Sequence, residues 1–178
     1  TPNGARLVQN AIAYCQRKDG ARLLSEVVRV RGNRADLQVF EETRGLRVGA
    51  KVEFQNKMLS VILGPGLLGQ IFDGLQNPLP RLAEEAGFFL KPGTYIDPLP
   101  LDRKWEFTPK VKPGDTVQAG DTLGTVPEGI FDHRIMAPVT LKGVWTVEAV
   151  ADPGSYTVNE EIAVLRNKKG NKMAVTMM

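Results

Sequence analysis

Of the 178 residues, one is cysteine and one is histidine. Cys15, standing alone, excludes an intrachain disulfide and a cysteine-rich zinc site, and a reducing, cytosolic setting is the expectation that follows. His133 has no second histidine or cysteine to help it hold a metal, and Asp132 beside it makes a poor partner for general-base chemistry. A structural or interface histidine is therefore expected. No apolar run reaches the ~18 residues of a membrane helix, so no direct membrane insertion is expected. No charged-then-apolar leader is seen ahead of the body and the chain opens on Thr1, so a processed or excised piece is expected.

Aromatic residues make up 7% of the chain, and they do not interleave with its arginines as stacking positions would. The net charge of +3 is unevenly spread: 9 Lys/Arg face 5 Asp/Glu in residues 1–50, and 4 face none from Arg166 onward. Nucleic acid is not expected as a partner, because these cations lie scattered among strand-like residues. The three serines, Ser25, Ser60 and Ser155, sit in no nucleophile motif.

What the chain does have is short alternating segments closed by turn signals. "LLSEVVRVRG", "ADLQVFEETRG", "KVEFQ" and "MLSVILG" predict strands of a small barrel or sandwich whose first strands look missing, with Gly32-Asn33 and Arg44-Gly45 as turns. One helix is predicted over Leu79–Ala86, with Pro78 and Pro80 at its start and Gly87 as its stop. Leu79, Leu82, Ala83 and Ala86 should share its apolar face, and Glu84 and Glu85 should face water. Further on, "KPGDTVQAGDTLGTV" is echoed by "DPGSYTVNEEIAVL": Pro113-Gly114 maps on Pro153-Gly154 and Thr116-Val117 on Thr157-Val158. Two similar β-units predict a quasi-twofold sandwich.

That echo, with "IMAPVTLKGV" after it, resembles the barrel-sandwich fold of biotinyl and lipoyl carrier domains. Carriers hold their cofactor on a lysine at a hairpin tip. Here the position falls on Ile130, and no lysine occurs from Pro127 to Arg134. The resemblance implies the fold without the group-transfer chemistry.

Gly64 and Gly69 have the spacing of a phosphate-cradling loop, but Gln70 and Ile71 stand where Lys and Ser or Thr belong, and Pro65 removes an N–H from the cradle. Nucleotide binding is not expected there. A longer pattern accounts for the stretch. "EVVRVRGNRADLQVFEETRGLRVGAKVEF", "LGPGLLGQIFDGLQNPL", "LDRKWEFTPKVKPGDTVQAGDTLGTVPE", "HRIMAP" and "GSYTVNEEIAVL", in that order, resemble the catalytic A subunit of V-type and A-type rotary ATPases.

The resemblance implies a mainly β chain: a small N-terminal β-barrel over residues 1–64, a Gly-rich hinge, short helix and linker over 65–104, a barrel-sandwich bulge over 105–166, and a return hairpin over 167–178. Gly64 and Gly66 would serve the hinge. It further implies a fragment of an ATP-driven proton or sodium pump or ATP synthase, on the cytoplasmic face of a membrane-bound complex. Its partners would be B subunits and other A subunits of a hexameric ring, with stalk or regulatory subunits on the bulge. No catalytic, cofactor-binding or metal-binding residue is expected in this piece; Mg-ATP would bind beyond Met178. The alternative is a stand-alone carrier-like or binding module with a barrel-sandwich fold and no modified lysine, and a Gly-x-x-x-x-Gly-Lys-Thr downstream of Met178 would separate the two readings.

Overall fold

The computed structural model describes residues 7–87 and 89–178. The chain is mainly β, with twelve strands and one α-helix among the described residues. It divides into two compact units. One takes residues 1–61 and 79–96, the other 62–78 and 97–178. The segment expected to link the bodies, 65–104, is thus shared between them. The return hairpin expected over 167–178 is part of the second unit.

The first unit is built on an antiparallel sheet ordered β3 (Arg34–Val39), β2 (Arg22–Arg31), β1 (Ala11–Gln16) and β4 (Val52–Met58). Its buried side chains run continuously through parts of both central strands: Ala11, Ile12, Ala13 and Cys15 on β1, and Leu23, Leu24, Ser25 and Val27 on β2. Cys15 Sγ lies 3.6 Å from Ser25 Oγ, which in turn donates to the Ala13 carbonyl at 2.8 Å. The lone thiol is therefore a packed core group. Across the same unit, the Tyr95 hydroxyl accepts from Leu24 N–H at 2.7 Å and donates to the Glu41 carboxylate. That carboxylate also accepts from Gly93 N–H at 2.7 Å.

The helix α1 (Leu79–Ala86) has the predicted bounds, and Gly87 closes it with φ 64° and a bond from its N–H to the Ala83 carbonyl. Only Leu82 of the predicted apolar face is buried; Leu79 and Ala83 are exposed. Glu84 and Glu85 face water as predicted.

The segment read as a strand over "MLSVILG" is not one, since β4 ends at Met58. Its backbone finds a different partner: Gln76 offers Oε1 to Ile62 N–H at 2.8 Å and Nε2 to the Ile62 carbonyl at 2.6 Å. A side-chain amide so placed replaces a neighbouring strand's bonds and leaves no ladder to extend. The loop that follows is ordered by Asp73, whose Oδ1 accepts from Leu75 and Asn77 N–H at 2.9 and 2.8 Å.

The second unit is a sandwich of two four-stranded sheets. One runs β10 (Gly154–Thr157), β5 (Lys104–Pro109), β7 (Thr122–Glu128), β8 (Phe131–Met136). The other runs β12 (Lys172–Val175), β11 (Ala163–Asn167), β9 (Trp145–Val150), β6 (Thr116–Val117). Replacing each strand of the first sheet by its counterpart in the repeat (β5 with β9, β6 with β10, β7 with β11, β8 with β12) yields the second. The twofold read from the echo is therefore present in the topology, and each repeat lends its short strand to the other repeat's sheet. Phe107, Leu123, Val126, Val147, Val158, Ile162 and Leu165 fill the core between the sheets.

Candidate functional site: a buried carboxylate clamp beside an apolar groove

The β7–β8 hairpin turns through Gly129 and Ile130, with Gly129 at φ 63°, a conformation that glycine adopts without steric cost. Ile130 is at the tip and 93% exposed. The carrier-like position thus presents an aliphatic side chain where a carrier presents its lysine amine.

Two residues from the tip, the hairpin carries a polar cluster that sequence reasoning missed. Val126 lies opposite His133 and Glu128 opposite Phe131, so Glu128 and His133 are diagonal neighbours on one face of the ribbon. Glu128 is only 6% exposed, and its Oε2 stands 2.6 Å from His133 Nδ1. An ionised carboxylate can only accept, so with it the bond forms when Nδ1 carries the proton. Asp132, the neighbour considered for His133 from sequence, pairs across the ribbon with Pro127 instead. The signal was available in principle: a two-residue Gly turn between positions 128 and 131 sets Glu128 and His133 on the same face.

The other oxygen of Glu128 reaches into the Gly-Pro-Gly stretch. Oε1 accepts from Gly66 N–H at 2.6 Å and from Leu68 N–H at 3.1 Å. Such charge-assisted bonds offset the cost of taking a carboxylate out of water. The turn itself is buried over Gly64, Pro65 and Gly66. Gly66 has φ 110°, and a Cβ there would lie 2.8 Å from Pro100 Cδ. A Cβ on Gly64 would meet Leu99 Cδ1 at 2.9 Å. Within the second unit these glycines are needed for close approach, beyond the turning role expected of them.

This geometry also answers the resemblance to a phosphate loop. Backbone N–H groups of the stretch do cradle an anion, and that anion is the chain's own Glu128 carboxylate. Among the described residues, no group of three or more His, Cys, Asp or Glu side chains is placed to hold a metal ion. No helix of the described residues is long and apolar enough to cross a membrane.

Beside the clamp runs an apolar groove of about 440 Å³, lined by Leu63, Leu68, Met136, Val139 and Met178 among others. Val139 is 80% exposed, and Leu63, Leu68 and Met136 are exposed with it. Chemically the clamp is a positioning device: it ties the 64–68 turn to the hairpin and so sets one wall of the groove.

Two family models match this chain. Residues 8–56 match the ATP synthase alpha/beta family, beta-barrel domain, and residues 96–178 match the ATPsynthase alpha/beta subunit barrel-sandwich domain. The chain belongs to the ATP synthase alpha/beta family. Both domains of the family were expected from sequence, in this order. The chain is 53% identical over 94% of its length to the V-type ATP synthase alpha chain of Treponema denticola. It is 50% identical over 88% of its length to V-type ATP synthase alpha chain 1 of Treponema pallidum, and 49% over 89% to the alpha chain of Borrelia garinii subsp. bavariensis. It spans about 28% of the length of these relatives: 28% of the first and last, 27% of the second.

Proposed function

We propose that this chain is the N-terminal part of the catalytic A subunit of a V/A-type rotary ATPase, an ATP-driven proton or sodium pump or ATP synthase on the cytoplasmic face of its membrane. Its task there is assembly. The first unit joins the ring of alternating A and B subunits, and the sandwich, as the bulge, makes outward contacts with stalk or regulatory subunits. Mg-ATP and the residues that act on it belong to the rest of the subunit. The observation that carries this reading is the clamp: the N–H groups of Gly66 and Leu68, which a phosphate would need, are taken by Glu128. The names of the relatives support the parent complex.

Two measurements test the reading. Calorimetry of the 178-residue chain with Mg-ATP is expected to be flat; micromolar binding abolished by a substitution at Gly69 or Gln70 would overturn the assignment of chemistry elsewhere. In native mass spectrometry, the full-length subunit mixed with B subunits is expected to form an alternating hexamer, and deletion of residues 8–56 to prevent it. Hexamers forming equally well without those residues would overturn the assembly role.

A further inference from the structure

The groove beside the clamp is lined by His133, Arg134, Ile135, Met136 and Ala137 in unbroken succession. Successive residues of a strand point to opposite faces, so a groove touching all of them runs along the strand's edge. Among the described residues, β8 is the outer strand of its sheet, paired with β7 alone. An unpaired edge flanked by exposed apolar side chains is a template for one more strand. Natural edges are commonly guarded by charge or cut short; β8 has six residues and exposes Asp132 and Arg134 in mid-strand, while apolar Phe131 and Met136 are exposed at its two ends and offer an incoming strand its apolar contacts.

We infer that this edge receives an extended segment of the same polypeptide from beyond Met178, which adds to β8 as a fifth strand and fills the groove with its apolar side chains. The inference rests on the reading that the chain is part of a longer subunit. Two observations select this occupant. Met177 and Met178 themselves line the groove, Met177 being 4% exposed, so polypeptide continuing from Met178 starts within it. The relatives, moreover, are more than three times as long as the part matched here. The clamp supports the arrangement, because Glu128 holds Leu68 on the opposite wall at a set distance from β8.

Hydrogen exchange on the full-length subunit, compared with the 178-residue chain, tests it. The outward amides of 131–137 are expected to be at least tenfold slower in the full-length subunit. Met136→Asp, and separately Val139→Asp, are expected to abolish that slowing while leaving exchange in β9 and β11 unchanged, which reports a folded sandwich. Equal exchange at 131–137 in both chains would overturn the inference, as would protection in the 178-residue chain that grows with concentration, the signature of a second copy on the edge. Hexamer formation with B subunits, measured on the same full-length sample, keeps failure of the parent reading distinguishable from failure of the strand.

Discussion

Glu128 and His133 are held 2.6 Å apart, and the same carboxylate holds Gly66 N–H at 2.6 Å, sixty-two residues away along the chain. One side chain therefore joins the Gly-Pro-Gly turn, the β7–β8 hairpin and the sole histidine. Removing it should be felt in all three.

Glu128→Ala leaves the buried Gly66 N–H, the partly buried Leu68 N–H and an imidazole without their acceptor. Each orphaned group costs about 1–3 kcal/mol, so a loss of about 3 kcal/mol in the second unit is expected. Glu128→Gln keeps one acceptor oxygen and should lose about 1 kcal/mol. Trp105 and Trp145 both lie in the second unit and are the only tryptophans, so urea unfolding followed by tryptophan fluorescence reads this unit alone. Equal, small losses for both variants would show that the turn holds without the clamp.

Tyr95 links stability of the first unit to alkaline pH. Its burial, then its bond to the Glu41 carboxylate, push the phenol well above the ordinary tyrosine range. A folded-state value raised above the unfolded one gives stability that is complete below the unfolded value of about 10 and is lost as pH rises beyond it. Stability of this unit should therefore hold to about pH 9 and fall above about pH 10. In Tyr95→Phe that fall should be much reduced, with about 1–2 kcal/mol lost at pH 7 for the missing hydrogen bonds. Far-UV circular dichroism against urea, from pH 7 to 11, checks both; an unchanged alkaline fall in the variant would assign it elsewhere.

Gly124 in β7 is required by packing. A Cβ there would stand 2.1 Å from Phe107 Cε2 and 2.8 Å from the Thr108 carbonyl oxygen, and Phe107 is a fully buried core residue. Gly124→Ala should destabilise the sandwich by about 2–3 kcal/mol, within the range for overpacked cores. Gly114→Ala, in an open turn at φ 97° with nothing within 4 Å, should cost about 1–2 kcal/mol from backbone strain alone. The order of the two midpoints in urea is the test, and a milder effect at Gly124 would mean that the Phe107 ring has room to move.

Much of the architecture was legible in the sequence because its causes are local. Alternation and turn residues announced β2, β3 and β4, and Gly87 closed α1 where a stop was read. The repeat between Lys112–Val126 and Asp152–Leu165 announced a twofold, because equal patterns make equal supersecondary units. Ordered motifs named the family. Three things belonged to the tertiary structure alone. The strand read over "MLSVILG" was withdrawn by Gln76, fourteen residues away, which supplies Ile62 with both of its bonds. The predicted face of α1 was reduced to Leu82, because burial depends on what packs opposite and periodicity does not say. And the partner of His133 came from across a hairpin while the partner of Gly66 came from across the unit. Periodicity registers which side of an element a residue occupies; a hydrogen bond between distant segments depends on the register and closure of the whole sheet, which no short window of sequence contains.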